Sequence, residues 1–198
     1  MILSKKDLQE YILADRSRYA SYSRHSNLLI RLKKILKNLF GIQTDEYYAC
    51  KYLYVLRHYE YYFNNVNNGH LYFILSKLYS FQHKRLSRKY RIFIEPNTVG
   101  KGLYIPHFSG SIICNCKQMG DNCIISTGVV VGNKCGQDNR PIIGNNVELC
   151  IGCKIIGKIN IADNAIVAPN SVVVKDVPMN AIVSGIPAKI IKMKNSTF

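Results

Sequence analysis

The sequence contains no proline before residue 96 and no long run of uncharged apolar residues. A helix that crosses a bilayer needs about 20 predominantly apolar residues, so we expect no membrane span. The first fourteen residues are charged and lack the apolar centre of a signal peptide. We therefore expect a protein that is not exported and that lies in the cytoplasm.

The seven cysteines form no complete set of metal ligands. Cys114 and Cys116 are close in sequence, as are Cys150 and Cys153, but no paired histidine or cysteine completes a zinc site. Small inward-facing positions also suit a free thiol as a compact apolar group. We expect reduced thiols, as is usual in the cytoplasm, and no metal.

Acidic residues are scarce, and the shortage is uneven. Residues 1–91 hold 17 Lys and Arg against 6 Asp and Glu, whereas residues 92–198 hold 10 against 6. Apolar residues in the first part recur at helical spacing, with breaks near Gly41 and at 64–69. One such stripe consists of Leu28, Leu29, Leu32, Ile35, Leu36 and Leu39. The pattern predicts a basic amphipathic helical domain over 1–91.

The basic residues beside these stripes allow two interpretations. Arg31, Lys33, Lys34 and Lys37 flank the first stripe, and a denser group precedes residue 92. Such a pattern is typical of helices at a membrane surface, here the inner membrane. It is equally typical of a solvated face around an oligomer core. Charge alone would also permit nucleic-acid binding, but the sequence has no recognised module for it, so we expect none.

From residue 119 onward, apolar residues recur every six positions. The rungs are Met119, Ile125, Val131, Ile143, Leu149, Ile155, Ile161, Val167 and Val173, and Gln137 breaks the series. Two residues before the rungs runs a second ladder of small or medium side chains: Cys123, Val129, Val147, Cys153, Ile159, Ala165 and Ser171. A period of six fits neither a helix nor an ordinary strand. It fits short strands and turns that stack in coils, as in a parallel β-helix.

The repeat predicts a β-helix domain over 92–188, of about five coils, and a C-terminal tail over 189–198. An ordinary β-sandwich is the alternative, but sandwiches vary the spacing of their strands. The whole chain is therefore expected to be of the α+β class.

The second half resembles the core of the serine acetyltransferases. The likeness begins with the run Val99 to Gly110 and continues through Gly120-Asp-Asn-Cys, Gly128-Val-Val-Val-Gly, Pro141-Ile-Ile-Gly and Ser171-Val-Val. It closes with Gly185-Ile-Pro-Ala-Lys189. The resemblance implies a left-handed β-helix acyltransferase of the hexapeptide-repeat superfamily that assembles as a homotrimer.

The resemblance also implies transfer of an acetyl group from acetyl-CoA to a hydroxyl. A neutral hydroxyl is a weak nucleophile, so the reaction needs a base. His107 occupies the position that matches the family's catalytic histidine, and imidazole suits that task near neutral pH. Glu95 is the nearby carboxylate that we expect to orient it, with a plain rim residue as the alternative.

Three positions depart from the family's pattern. Phe93 stands where an aspartate pairs with the base, Pro106 stands where an aspartate helps to hold serine, and Arg140 replaces a second histidine. We therefore expect the acceptor to be a sugar or glycan precursor, free or lipid-linked, with Pro106 and Arg140 beside it. Serine O-acetylation is the alternative within the class. A non-catalytic scaffold or a membrane-surface assembly factor is the alternative outside it.

In this superfamily CoA lies in the groove between neighbouring β-helices of the trimer. Four positions match that groove, and two lysines on the repeat could meet the phosphates of CoA as point charges. These candidates are Gly132, Gly152, Ala168, Lys189, Lys158 and Lys175.

Overall fold

The protein is described here from a computed structural model, which covers residues 1–19, 44–107, 110–134, 136 and 139–194. Three α-helices come first: α1 (Lys5–Ser17), α2 (Asp45–Asn64) and α3 (His70–Tyr90), with a 3-10 turn at Val66–Asn68. The predicted break at 64–69 is confirmed. The stripe from Leu28 to Leu39, its flanking basic residues, the break at Gly41 and the interruption at Gln137 lie outside the described residues.

Thirteen short strands follow in the described part of the chain. They are β1 (Ile92–Ile94), β2 (Ile112–Cys114), β3 (Gln118–Met119), β4 (Ile124–Ile125), β5 (Val130–Gly132), β6 (Ile142–Ile143), β7 (Glu148–Leu149), β8 (Lys154–Ile156), β9 (Asn160–Ile161), β10 (Ile166–Val167), β11 (Val172–Val173), β12 (Ala181–Gly185) and β13 (Ala188–Met193).

The strands form three sheets that the chain visits in turn. The first sheet has the order β1-β2-β5-β8-β11, the second β3-β6-β9, and the third β13-β12-β10-β7-β4. Except for β12 with β13, all of these strand pairs are parallel. The predicted helical part followed by a parallel β-helix is confirmed. The left-handed sense and the trimer stay predictions.

The six-residue ladders form the core of the β-helix. Every rung from Met119 to Val173 is at most 2% exposed, and every described residue of the second ladder is at most 9% exposed. Ile143 pairs with Ile161, so that coil is 18 residues long, but Val131 pairs with Ile155, which is 24 residues further on. The longer coil contains the segment 133–140 between β5 and β6. Because the addition is six residues, the ladder keeps its register across it.

One row of turns is built on asparagine. Asn146, Asn164 and Asn180 all have positive φ angles, a conformation that asparagine tolerates better than most residues. Their side chains bond to one another down the stack: Asn146 Nδ2 donates to Asn164 Oδ1, and Asn164 Nδ2 donates to Asn180 Oδ1, both at 3.0 Å. This ladder was not predicted, although the recurring asparagines are visible in the sequence.

The C-terminal end of the third sheet is covered by the chain itself. Strand β13 lies antiparallel to β12, so the segment assigned to a tail begins inside a strand. Pairing of this kind satisfies an edge that would otherwise be open to another chain.

The helices cover the opposite, N-terminal end of the β-helix. Arg57 in α2 is fully buried and donates to the carbonyl oxygens of Val99 and Gly100, at 2.9 and 2.6 Å. Asp15 accepts from Arg57 Nε at 2.8 Å, and Glu60 accepts from Arg57 Nη1 at 3.0 Å. One apolar core runs from Tyr19 and the α2 residues into the β-helix. The last helix ends at Tyr90 and β1 begins at Ile92, and the packing is continuous across this boundary.

No helix among the described residues is long and apolar enough to cross a membrane.

Candidate active site

His107 lies on the turn that leads into β2. The chain leaves the third sheet at Tyr104, which bridges to Ile124, and then enters the first sheet at Ile112. Ile105 is fully buried, whereas the side chain of His107 is 70% exposed. The turn therefore anchors its start in the core and presents the imidazole to solvent.

Two side chains near the end of α1 hold the strand residues before this turn. Tyr19 Oη accepts a hydrogen bond from Ile105 N at 3.1 Å, and Asp15 Oδ1 accepts one from Leu103 N at 3.0 Å. The Tyr19 and Tyr104 rings meet edge-on with centroids 5.0 Å apart. Burial raises the pKa of Tyr19, so its hydroxyl stays neutral. The helical part thus fixes the approach to His107.

A carboxylate from α2 approaches His107. Asp45 Oδ2 lies 3.9 Å from His107 Nδ1, and both side chains are exposed. Asp45 is the one carboxylate within 4.0 Å of a ring nitrogen of His107 among the described residues. The sequence did not predict this contact, because nothing in the motif around residue 107 points to a helix so distant in the chain.

Glu95 has a different partner from the one predicted. Its Oε2 accepts a hydrogen bond from Arg140 Nη1 at 2.9 Å, which forms an ion pair. Strands β1 and β2 are parallel, Glu95 follows β1, and His107 precedes β2. The two residues therefore stand at opposite edges of the first sheet. The expectation that Glu95 orients His107 is wrong for this chain by itself.

An open groove of about 500 Å³ lies between α3 and the outer face of β1 and β2. Phe93 and Ile113 form its apolar floor, and Glu95, Asn115 and Arg88 contribute polar groups. His107 does not line it. Phe93 thus faces outward into this groove, close to Glu95.

The predicted CoA positions fall into two rows. Gly152 and Ala168 lie on the turns between the third and first sheets, the same corner as His107 and Pro106. Gly132, Lys158 and Lys175 lie where the chain leaves the first sheet, beside the edge of Glu95. Lys189 stands apart in β13, opposite Ser184.

Backbone bonds stack the turns below His107 into a continuous corner. The amide of Gly128 donates to Ser111 O at 2.8 Å, and the amide of Gly152 donates to Thr127 O at 2.9 Å. Gly152 has φ +71°, and a Cβ there would strike the Asn170 side chain. Glycine at 152 therefore suits both the positive φ and the close approach of Asn170 at this corner.

Two of the buried thiols, those of Cys123 and Cys153, are unsuited to nucleophilic chemistry. Burial raises the pKa of both Cys123 and Cys153 to about 12, so each stays protonated and a poor nucleophile. No group of three His, Cys, Asp or Glu side chains with metal-binding geometry occurs among the described residues.

No family model matches the chain, but sequence relatives are clear. A serine acetyltransferase of Synechococcus elongatus is 37% identical over 95 residues, which are 47% of this chain and 39% of that protein. A serine acetyltransferase of Staphylococcus epidermidis is 39% identical over 98 residues, which are 48% of this chain and 46% of that protein. The chain thus matches less than half the length of these relatives.

Solved structures extend the likeness to the helical part. A Neisseria gonorrhoeae serine acetyltransferase superposes with a TM-score of 0.67 at 25% identity, covering 98% of this chain and 70% of that one. A Brucella abortus serine acetyltransferase in complex with coenzyme A gives 0.71 at 23% identity, covering 98% and 71%. The chain has the fold of serine acetyltransferases, including helices before the β-helix.

The expectation of a sugar or glycan acceptor is wrong, because these relatives are serine acetyltransferases. It depended on Phe93, Pro106 and Arg140, three side chains of a core that is 37–39% identical to serine acetyltransferases over 95–98 residues. Substitutions at a few positions change how a substrate is held, and they are weaker indicators of its class than the whole matched core.

Proposed function

We propose that the protein transfers the acetyl group of acetyl-CoA to the hydroxyl of L-serine, a reaction of cysteine biosynthesis. The observation that carries the proposal is the exposed His107, which follows the anchored backbone of Leu103 and Ile105 in a core similar to serine acetyltransferases. An exposed imidazole can reach a bound hydroxyl, which a buried structural histidine cannot.

His107 acts as the general base. Its Nε2 removes the hydroxyl proton as the serine oxygen attacks the thioester carbonyl, which gives a tetrahedral oxyanion. Collapse breaks the C–S bond, and the imidazolium returns its proton to the departing CoA sulfur. The products are O-acetylserine and CoA, with no net proton change.

The two rows of candidate CoA residues are consistent with a site shared between copies of the chain. Within one chain, the His107 corner and the Glu95–Arg140 edge lie on opposite sides of the first sheet. A homotrimer would set the corner of one copy against the edge of the next, with acetyl-CoA between them. Lys158 and Lys175 are exposed and are available for its phosphates.

The Glu95–Arg140 pair suits a zwitterionic acceptor. A guanidinium binds a carboxylate with two parallel hydrogen bonds, and a carboxylate binds an ammonium group. Serine carries both groups beside its hydroxyl. In the proposed site, Arg140 and Glu95 of a neighbouring copy hold these groups and so take the place of the aspartate that Pro106 replaces.

The test is acetyl transfer by the purified full-length protein with L-serine, followed by CoA thiol release and by mass detection of O-acetylserine. We expect His107→Ala to lower the rate by about 10²–10⁴-fold. His70→Ala is the matched control, because His70 is also exposed but lies at the start of α3. We expect it to retain full activity.

Transfer that survives in the His107→Ala variant would refute the role of this base. A wild-type protein that binds acetyl-CoA but transfers nothing to serine would favour a scaffold instead.

A further inference from the structure

The catalytic histidine of this protein lacks a carboxylate where the sequence resemblance places one. Phe93 stands at that position, and its side chain is 46% exposed in the groove beside α3. Glu95 of the same chain is paired with Arg140 at the far edge of the first sheet, and the Glu95 that a neighbouring copy would bring is assigned to the ammonium group of serine. An unassisted imidazole would have no partner to fix its ring or its tautomer.

The geometry points to Asp45 as the positioning residue for His107, a role that rests on the proposed transferase function. Its Oδ2 lies 3.9 Å from Nδ1 of the ring. That is about 1 Å longer than a hydrogen bond. Catalytic hydrogen bonds are often long in ligand-free structures and tighten when substrate binds.

Asp45 approaches Nδ1, and this is the ring nitrogen whose engagement leaves the other one able to act as the base. A carboxylate that accepts a proton from Nδ1 leaves the lone pair of Nε2 free for the serine hydroxyl. When Nε2 takes up the proton, the same carboxylate faces the new positive charge of the imidazolium. Asp45 therefore acts through His107 and touches neither serine nor CoA.

Asp45 also stands on a helix that is hydrogen-bonded to the β-helix. It is the first residue of α2, which is fastened to the β-helix by Tyr52 Oη donating to Ile92 O at 3.2 Å and by the two Arg57 bonds to Val99 and Gly100. The backbone at 103–105, just before His107, is held by α1. The helix that carries Asp45 is thus bonded to the first coil of the β-helix, to which the backbone before His107 belongs. Only a small movement is needed to bring the carboxylate and the imidazole into hydrogen-bond contact.

This arrangement implies that the helical part contributes to the active site and does more than cover the end of the β-helix. The carboxylate that orients the base would have moved from the β-helix coil to the start of a helix. Phe93 is then free to serve as part of the groove floor.

The test compares Asp45→Ala with Glu46→Ala, which removes the same charge from the same first turn. In full-length protein with ¹⁵N-labelled histidine, two-bond proton–nitrogen spectra report which ring nitrogen carries the proton, and His107→Gln assigns the signal. We expect the wild type and Glu46→Ala to carry it on Nδ1. We expect Asp45→Ala to shift towards the Nε2–H form that free histidine favours in water.

In serine acetylation, we expect Asp45→Ala to lower kcat by about 10-fold, less than loss of the base itself, with KM for acetyl-CoA unchanged. Asp45→Glu should recover most of the rate because it restores the carboxylate. An unchanged tautomer in Asp45→Ala, or a kcat equal to that of Glu46→Ala, would overturn the proposal. If the wild type fails to acetylate serine, the proposed function fails, and the spectra still decide whether Asp45 sets the tautomer.

Discussion

The two halves of this protein bury different kinds of side chain. The β-helix interior is made of stacked aliphatic and small residues, with every rung from Met119 to Val173 at most 2% exposed. The helical part buries charge as well: Arg57, Asp15 and Glu60 are each at most 2% exposed, and Arg57 donates hydrogen bonds to both carboxylates. One half is a repeat, and the other is a unique polar arrangement.

The two halves differ because backbone groups of the β-helix find their hydrogen-bond partners in different places. Each coil of the β-helix finds its backbone partners in the coil above and below, so its interior can be apolar. The first coil has no coil before it, and its free amide and carbonyl groups need other partners. Asp15, Tyr19 and Arg57 supply them at Leu103, Ile105, Val99 and Gly100. The helices thus supply the first coil with the hydrogen-bond partners that neighbouring coils supply elsewhere.

The largest loss of stability is expected from Arg57→Met. The change leaves Asp15 and Glu60 buried without their cation and frees two carbonyl oxygens of the first coil. Removing one partner of a buried charge network costs about 3–5 kcal/mol. We expect a large fall in the unfolding temperature, measured by calorimetry, and loss of acetyl transfer because the coil before His107 is released.

Lys101→Met is the matched control for Arg57→Met. Lys101 also pairs with a carboxylate, that of Glu10, but both groups are exposed. Exposed pairs contribute little to stability, because solvent and salt screen the two charges. Equal losses in the two variants would mean that the buried network does not hold the helices on the β-helix.

A smaller and pH-dependent effect is expected from His83 in α3. Burial lowers its pKa to about 4, and its Nε2 lies 3.1 Å from Tyr52 Oη. The unfolded chain binds a proton below its ordinary pKa of about 6.5, whereas the folded chain does so only below about 4. Stability should therefore fall as pH is lowered from about 6.5 to about 4, by up to roughly 3 kcal/mol.

His83→Gln should flatten this slope, because an amide can bond to Tyr52 without titrating. Urea unfolding at several pH values measures the effect. A slope that is the same in both proteins would show that His83 is accessible to protons in the folded state.

The sequence predicted the β-helix better than the helical part for a physical reason. Burial in a repeat depends on spacing alone, so the ladder from Met119 to Val173 could be recognised directly. The break at 64–69 was visible for a similar reason, since helical periodicity stops there. The capping network was not, because Arg57 and Asp15 look like ordinary surface charges until both helices are placed on the first coil.

The candidate site shows the same division. His107 could be singled out because its motif is local. The partner of Glu95 could not, because the geometry of a parallel coil decides which edge each residue occupies. Asp45 approaches His107 only through the packing of α2, and no local pattern records that contact.

The smallest effect per residue is expected on membrane binding. Here the basic residues of the helical half can be compared directly with those of the β-helix. Leu71, Ile74, Leu78 and Phe81 are 48–66% exposed along one face of α3, and Lys84, Arg85 and Arg88 continue that face. Helices of this kind lie at anionic membrane surfaces, with each basic residue contributing about 1 kcal/mol near the surface and less as salt screens it.

We expect the full-length protein to sediment with anionic vesicles at low salt and not to bind neutral ones. Neutralising Lys84, Arg85 and Arg88 with glutamine should weaken binding, whereas the same change at Lys154, Lys158 and Lys175 of the β-helix should not. If the two triple variants bind alike, or if the wild type ignores anionic vesicles, the excess of positive charge in the helical half serves solubility or assembly.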